Sequence, residues 1–270
     1  MDLGIKGKVA IITGGGQGVG KEIATVLAAE GAKVVPNDLY QERADAVAQE
    51  INEAGGTAMG IKADVTNLDE VKSMVPKAVE NFGPVDILVN NAGVPDVIRR
   101  GEVARTLFID SVPEDWKRQI DLNIHGWLNC TYSVIGSMIE RKSGKIVSVI
   151  SEAGRIGEYN LMVYSGAKAA VLGFTKALAR ETGKYSINLN CIALGATAHE
   201  GTKPLLDPDD TPETNERLAK ILRSYPVGRG LGRVGRPSDA AAAIAFLASN
   251  RAAFITGQCL SVSGGFSMVS

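Results

Sequence analysis

The chain has few of the residues that build metal sites or disulfide frameworks. It holds three cysteines, Cys130, Cys191 and Cys259, and two histidines, His125 and His199, in 270 residues. The cysteines are odd in number, far apart and flanked by apolar residues, so we expect buried, reduced thiols in a cytoplasmic protein. Two isolated histidines are too few to predict a metal site.

Long apolar runs and an excess of charge of one sign are also missing. No run of 18 apolar residues suggests a transmembrane helix, and the short, mixed segment 1–8 does not resemble a signal peptide. A net charge of −1 gives no general attraction to nucleic acid or to an anionic membrane. We therefore expect no nucleic-acid or membrane partner, and a hydrophobic content of 45% predicts a globular protein with a sizeable core.

Short apolar runs alternate with helical patterns of ten or more residues along the chain. The predicted strands are 9–12, 33–37, 57–62, 85–89, 145–150, 187–192 and 258–262. The predicted helices are 21–30, 41–54, 68–82, 113–138, 159–182, 213–224 and 237–249. Segment 94–112 predicts a loop with one short helix, and 197–235 a long charged excursion. The alternation favours a single α/β domain over 1–270, with a doubly wound parallel sheet of about seven strands.

A glycine-rich turn follows the first predicted strand and opens the first helix. Residues 13–20 contain Gly14, Gly18 and Gly20 in a Gly-x-x-x-Gly-x-Gly spacing. Backbone amides at such a helix start bind a pyrophosphate, and glycines let it approach closely. A tight turn between a strand and a helix, with no ligand, is the alternative interpretation.

An acidic residue ends the second predicted strand. Asp38 lies 24 residues after Gly14, where a carboxylate accepts hydrogen bonds from a ribose 2′-hydroxyl and repels a 2′-phosphate. Its neighbours Asn37 and Leu39 carry no positive charge, so the pattern favours NAD over NADP. An N-cap role for Asp38 at the next helix is the alternative.

A tyrosine and a lysine share one face of the predicted helix 159–182. Tyr164 and Lys168 are four residues apart, so they can touch the same bound molecule. A phenol is a poor proton donor or acceptor near neutral pH, but an ammonium group nearby favours the phenolate. Taken alone, the pair also suits two ordinary helix residues.

Together these motifs resemble the short-chain dehydrogenase/reductase family, of the compact one-domain kind. The resemblance covers about Gly7 to Gly265 and rests on residues 13–20, Asn90-Asn91-Ala92-Gly93, Asn123, Ser151 and Tyr164-x-x-x-Lys168. It implies a Rossmann-type NAD-binding domain and an NAD-dependent oxidoreductase that interconverts a secondary alcohol and a ketone.

The resemblance also implies a role for each residue. Tyr164 would be the general acid/base, and Lys168 would favour its phenolate and hold the nicotinamide ribose. Ser151 would hydrogen-bond the substrate oxygen, and Asn123 would anchor a water that relays protons. The implied cofactor-binding residues are Gly14, Gln17, Gly18, Val19, Gly20, Asp38, Leu39, Asp64, Val65, Asn91, Ala92, Gly93, Tyr164, Lys168, Gly195 and Thr197. Structural roles for Asn123, as a backbone tie, and for Ser151, as a strand-end residue, remain open.

One stretch departs from the family pattern. After the sixth strand the family has Pro-Gly and then a threonine near the cofactor phosphates. This chain has Leu194-Gly195, and His199 stands where the threonine is expected. We expect a less rigid loop, with the phosphate contact made by imidazole or absent. An acid/base role for His199 is disfavoured because Tyr164 fills it.

The substrate is less well determined. The resemblance places it over Ser151 and Tyr164, beneath the excursion 197–235. The stretch 151–168 is similar to that of members that oxidise alicyclic or β-hydroxyacyl-CoA substrates. Candidate lining residues are Glu152, Ala153, Gly154, Arg155, Ile156, Tyr159, Leu161 and residues from Ala198 onward. Candidate partners of a carrier's phosphates are Arg99, Arg100, Arg105, Lys203, Arg217, Lys220 and Arg223. A solvated charged surface is the favoured alternative for most of these charges.

Two other functions remain as alternatives. One is a dehydratase or epimerase that recycles its NAD, against which the length argues, because such relatives carry a separate substrate domain. The other is a catalytically silent NAD-binding regulator, against which the complete set of Asn123, Ser151, Tyr164 and Lys168 argues. The resemblance further implies a homotetramer acting on a small-molecule alcohol or ketone.

Overall fold

The computed structural model describes residues 2–95, 106–198 and 211–269. Its strands are β1 Val9–Thr13, β2 Lys33–Asp38, β3 Thr57–Ala58, β4 Ile61–Lys62, β5 Val85–Asn90, β6 Gly144–Ser151, β7 Ile187–Leu194 and β8 Cys259–Val262. Its α-helices are α1 Gly18–Ala29, α2 Gln41–Glu53, α3 Leu68–Phe82, α4 Pro113–Ile120, α5 Gly126–Arg141, α6 Ala153–Ile156, α7 Met162–Thr182, α8 Pro212–Leu222, α9 Pro226–Leu231 and α10 Pro237–Leu247. A π-helical turn, Asp121–His125, joins α4 to α5, and Phe108–Asp110 is a 3₁₀ turn.

The strands form one parallel sheet. Within the described residues it has eight strands in the order β3-β2-β1-β5-β6-β7-β8, with β4 beside β2. All the pairings are parallel. The chain runs outward from β1 to one edge, returns through α3 to β5, and then runs to the other edge, so the direction changes between β1 and β5. The predicted doubly wound, Rossmann-type α/β fold is confirmed.

Helices cover both faces of the sheet. Ala10 and Ile12 of β1 join one buried cluster with apolar residues of α1, α2 and α10, whereas Ile11 joins a second cluster with residues of α3, α5 and α7. Because successive side chains of a strand point to opposite faces, a strand buried on both sides must be apolar throughout. This accounts for the unbroken apolar run of β1, in which every residue is buried.

The structure corrects three predicted boundaries. The predicted third strand, 57–62, is two short strands, because the chain passes so close to α2 at Gly60 that a Cβ there would lie 2.6 Å from the carbonyl carbon of Ala44. The predicted helix 113–138 is interrupted by the π-helical turn. The predicted helix 159–182 begins at Met162, because Asn160 has a φ of +63° and cannot continue a right-handed helix.

The described part of the excursion forms α8 and α9, which pack with the loop that follows β7. Leu218, Leu222, Tyr225 and Val234 make a small buried cluster with Ala198. A parallel bridge between Thr197 and Gly235 joins the beginning of this region to its end. None of the described helices is long and apolar enough to cross a membrane.

Candidate active site

A cavity of about 1010 Å³ opens at the carboxyl ends of the strands, beside the neighbouring strands β1 and β5, between which the winding direction of the chain changes. It is lined by the glycine turn after β1, by Asp38 at the end of β2, by Asn91 after β5 and by Ser151 at the end of β6. In open parallel sheets, ligands bind at this change of direction. The sheet therefore brings together residues that lie more than a hundred positions apart in the chain.

The glycine turn is locked to the loop after β5 by hydrogen bonds. The Thr13 hydroxyl accepts hydrogen bonds from the backbone N–H groups of Asn91 and Ala92 at 3.0 and 3.1 Å. The side-chain amide of Asn91 donates to the carbonyls of Thr13 and Gly14 at 3.0 and 3.1 Å. Asn91 thus has a structural role in holding the glycine turn, and it also lines the cavity.

The glycine turn fits a dinucleotide cofactor. Gly14 has a φ of +61°, and a Cβ on Gly20 would lie 2.0 Å from the carbonyl oxygen of Gly14. A larger residue at position 14 or 20 would not fit this close turn. The turn leads directly into the N-terminus of α1, which lies beside the cavity. The helix start lacks a side-chain cap from Gln17, so its backbone N–H groups suit a pyrophosphate.

Asp38 is held at the far end of this cavity. It is only 5% exposed, and its carboxylate accepts hydrogen bonds from the backbone N–H groups of Gly16 and Tyr40, both at 3.2 Å. The guanidinium of Arg43, on α2, lies 4.0 Å from one carboxylate oxygen and 4.3 Å from the centre of the Tyr40 ring. Sequence reasoning considered only the two neighbours of Asp38 and missed Arg43. Arg43 lies in the first turn of α2, which places its side chain beside the end of β2.

Lys168 lies at the centre of the site. It is only 4% exposed, and its Nζ donates a hydrogen bond to the carbonyl oxygen of Val149 at 2.9 Å. Burial lowers the pKa of this lysine to about 8. The ammonium group lies 5.7 Å from the centre of the Tyr164 ring. A Cβ on Gly93 would lie 2.4 Å from Nζ, so glycine makes room for it.

Asn123 sits in the π-helical turn and is buried. Its side-chain amide donates to the backbone and side-chain oxygens of Gln119 at 3.0 and 3.1 Å. The Gln119 carbonyl thus accepts a side-chain hydrogen bond inside the helix, at the point where the π-helical turn begins. In the described part of the chain, Asn123 Oδ1 is buried with no hydrogen-bond partner. Asn123 and Lys168 both line a second cavity of about 10 Å³, close to the minimum for one water molecule.

Ser151 and Tyr164 face the large cavity from β6 and α7. The Ser151 hydroxyl accepts a hydrogen bond from the N–H of Ala153 at 3.1 Å, which orients it and leaves its proton free to be donated elsewhere. A ligand oxygen reaching this end of the cavity meets a hydroxyl, a phenol and a buried ammonium group together. That set can bind a carbonyl or alcohol oxygen and transfer its proton.

The structure collects most of the predicted site residues in one place. The large cavity is lined by Gly14, Gln17, Val19, Gly20, Asp38, Leu39, Asp64, Val65, Asn91, Ala92, Gly93, Ser151, Tyr164, Lys168, Gly195 and Thr197. Gly18 instead begins α1 and is buried below the cavity. Asn123 lines the small cavity. Of the substrate candidates, Glu152, Tyr159 and Leu161 line the large cavity. The prediction is wrong for Ala153, Gly154, Arg155 and Ile156, which are not among the described lining residues, and Gly154 packs against the Lys168 backbone.

The loop after β7 is anchored where the sequence predicts a less rigid one. The carbonyl of Leu194 accepts a hydrogen bond from the N–H of Glu152 at 3.0 Å. The N–H of Ala196 donates to the Tyr225 hydroxyl at 2.9 Å. Tyr225 lies within the excursion, 29 residues after Ala196, and sequence reasoning did not single it out because no local pattern connects the two positions.

Several predicted residues lie outside the described residues, namely His199, Arg99, Arg100, Arg105 and Lys203. Arg217, Lys220 and Arg223 are exposed on α8 or at its end, and they are not among the described residues that line the cavity. The placement of these three supports the alternative of a solvated charged surface.

The cysteines contribute no reactive thiolate to the site. Burial raises the pKa of both the Cys130 and the Cys191 thiol to about 12, and it also raises the pKa of Cys259. All three are free cysteines. Among the residues with described positions, no group of three or more histidine, cysteine, aspartate or glutamate side chains could hold a metal ion.

Comparison with known proteins agrees with this geometry. A family model described as short chain dehydrogenase matches residues 8–209. The chain is 38% identical over 263 residues to a 3-oxoacyl-[acyl-carrier-protein] reductase of Synechocystis sp., with 97% of each chain covered. It is also 38% identical to the (2S)-[(R)-hydroxy(phenyl)methyl]succinyl-CoA dehydrogenase subunit BbsD of Thauera aromatica, with 98% and 99% covered. The chain belongs to the short-chain dehydrogenase family of oxidoreductases, which bind a nicotinamide dinucleotide cofactor.

Proposed function

We propose that the protein is an NAD-dependent enzyme that interconverts a secondary alcohol and a ketone, with Tyr164 as its general acid/base. The observation that carries the proposal is the meeting of Ser151, Tyr164 and Lys168 in the cavity that also holds the glycine turn and Asp38. One end of this cavity suits a dinucleotide and the other suits an alcohol or carbonyl oxygen.

The chain's own residues manage the proton. In the oxidation direction, the Tyr164 phenolate accepts the hydroxyl proton of the alcohol, and Ser151 donates a hydrogen bond to the same oxygen. In the reduction direction, the phenol returns the proton to the new alkoxide. When bound, the nicotinamide cofactor supplies the hydride acceptor or donor. Lys168 stabilises the phenolate through its charge, and its burial strengthens that interaction.

A path for the proton leads inward from Tyr164. Lys168 and Asn123 both line the cavity of about 10 Å³, and Asn123 Oδ1 has no partner among the described residues. A water molecule there would accept a hydrogen bond from Lys168 and donate one to Asn123, which would extend the set of proton-carrying groups inward from Tyr164. We assign Asn123 this anchoring role, and the π-helical turn orients it.

The preference for NAD rests on Asp38. Its buried carboxylate can accept hydrogen bonds from the two hydroxyls of a ribose and would repel a 2′-phosphate. The guanidinium of Arg43 is a positive charge near Asp38, and it contacts both the Asp38 carboxylate and the Tyr40 ring. While Asp38 holds this guanidinium, it is not available to bind a phosphate.

The substrate class that we propose is a hydroxyacyl thioester or an alicyclic alcohol, bound beneath the excursion 197–235. The names of two relatives support the thioester, because one acts on an acyl group of a carrier protein and the other on a succinyl-CoA. We further propose a cytoplasmic homotetramer, on the resemblance alone.

The test is a measurement of NADH formation with NAD, and separately with NADP, on β-hydroxyacyl-CoAs and on alicyclic alcohols. We expect turnover with NAD, and the Tyr164→Phe variant should lose about 10²- to 10⁴-fold in kcat while it binds NADH as the wild type does. The matched control is Tyr132→Phe, because this exposed tyrosine on α5 does not line the cavity. Full activity of Tyr164→Phe would refute the mechanism, and bound NAD without any turnover would favour a dehydratase, an epimerase or a silent regulator.

A further inference from the structure

Two pairs of stacked aromatic rings form walls of the substrate end of the cavity. The rings of Phe108 and Trp116 lie 5.1 Å apart at an angle of 26°, and those of Tyr225 and Phe266 lie 4.9 Å apart at 16°. All four residues line the same cavity as Ser151 and Tyr164. The chain is only 5% aromatic, so four of its rings in one cavity are a strong local concentration.

The first wall, Phe108 with Trp116, is fixed in place and yet open to solvent. The Trp116 indole N–H donates to the Ser111 hydroxyl at 2.7 Å, and that hydroxyl donates to the carbonyl of Phe108 at 2.6 Å. The hydrogen bonds set the orientation of the rings, while Phe108 stays 49% exposed. Neighbouring Leu107 and Ile109 are exposed as well. Apolar surface left open around a cavity marks a place where a ligand binds.

The second wall, Tyr225 with Phe266, is tied to the cofactor side of the site. The Tyr225 hydroxyl accepts from the N–H of Ala196, in the loop after β7, and a Cβ on Gly195 would lie 2.8 Å from the Tyr225 ring. This wall therefore cannot move away from the loop that borders the cofactor end. In each wall a hydrogen bond orients one ring before a ligand binds, so fewer side chains have to be ordered on binding.

The charged side chains described in this half of the cavity already have partners. Asp115 forms an ion pair with Arg118, and the buried Glu152 forms one with Arg155 at 3.3 Å. Glu152 also accepts a hydrogen bond from Ser261. The described walls offer a ligand these ring faces, aliphatic side chains such as Leu161 and Met162, and the buried Asn160 Oδ1, which has no hydrogen-bond partner among the described residues.

We propose that the substrate carries an aromatic ring on the carbon that is oxidised or reduced, and that Phe108 and Trp116 bind this ring. The inference rests on the proposed function, because Ser151 and Tyr164 fix which carbon reacts. Of the two proposed substrate classes it favours the hydroxyacyl thioester, with an aryl group on the carbon that carries the hydroxyl. Aromatic pairs in offset or edge-to-face arrangements contribute about 0.5–1.5 kcal/mol beyond the burial of their area.

A matched pair of ligands separates stacking from simple burial. Phenyl methyl ketone and cyclohexyl methyl ketone share the reacting group and have rings of similar size, but the saturated ring is at least as hydrophobic. A pocket that is merely apolar would therefore not prefer the phenyl ketone, whereas stacking should make it bind about 2- to 10-fold more tightly. The dissociation constants are measured by calorimetry on the NAD-loaded protein, and kcat/KM is measured for the two corresponding alcohols.

Variants identify the rings responsible. Trp116→Leu is expected to reduce the ratio of the cyclohexyl to the phenyl dissociation constant to about one. Phe108→Leu is the second variant, with the same expected result, if Trp116→Leu does not fold. Tyr132→Leu, which changes an exposed aromatic residue outside the cavity, should keep it. Equal binding of the two ketones by the wild type, or a phenyl preference that survives both cavity variants, would overturn the inference. Phenyl-selective binding without oxidation of either alcohol would support Phe108 and Trp116 as a binding site for an aromatic ring, and it would count against the proposed function.

Discussion

The buried Lys168 should make the stability of the protein depend on pH in an unusual direction. Its folded-state pKa is about 8, whereas a lysine in an unfolded chain titrates near 10.5. Between these values the unfolded state binds more protons than the folded state, so the free energy of unfolding rises with pH. The penalty for burying the charged lysine is fully present below about pH 8 and is relieved as the pH approaches 10.5.

The size of the effect follows from the two pKa values. A difference of about 2.5 pKa units corresponds to about 3.4 kcal/mol in total. Integrated between pH 7 and pH 9.5, the linkage relation gives a gain of about 2 kcal/mol in the free energy of unfolding from Lys168 alone. Lys168→Met keeps the volume and most of the apolar contacts of the stem but removes the titrating group, so this gain should vanish.

The assay is urea denaturation of the ligand-free protein at pH 7 and at pH 9.5. Other groups titrate in this range, so the quantity of interest is the pH-dependent gain of the wild type minus that of Lys168→Met. Lys176→Met is the matched control, because Lys176 is exposed on the same helix and should behave as the wild type does. If Lys168→Met gains as much stability with pH as the wild type, the buried-charge reasoning is wrong.

Three further outcomes are expected. Gly20→Ala places a methyl group 2.0 Å from the Gly14 carbonyl oxygen, so NADH binding, followed by fluorescence titration, should weaken strongly; unchanged affinity would contradict the fit of the glycine turn. Asp38→Ala should lower the ratio of kcat/KM for NAD over NADP by about 10- to 100-fold, since it removes hydrogen bonds to a charged group worth about 1.5–3 kcal/mol, and a wild type that prefers NADP would refute the ribose argument. Tyr225→Phe leaves the Ala196 N–H without its partner and should cost about 1–3 kcal/mol of unfolding free energy in urea, whereas an unchanged midpoint would show that water replaces the hydroxyl.

The sequence by itself determined the fold class and the chemistry at the strand ends. Alternating apolar runs and helical patterns indicated the doubly wound sheet, because burial on both faces requires apolar strands. The glycine turn and the Tyr164–Lys168 pair could be identified because each depends on spacing within one turn or one helix, and Asp38 because it ends the strand that follows the first helix. Such local features can be predicted because they depend on residues that are near one another in the sequence.

Only the tertiary structure decided features that depend on long-range contacts. The split of the predicted third strand depends on the approach of α2 to Gly60, and the widened turn at Asn123 depends on a side-chain bond that competes with the helix. The aromatic walls join Phe108 with Trp116 and Tyr225 with Phe266 across one cavity, although the two pairs are more than a hundred residues apart. The packing of helices and loops over the strand ends brings the two pairs into one cavity. No periodic pattern in the sequence predicts a contact between segments so far apart in the chain.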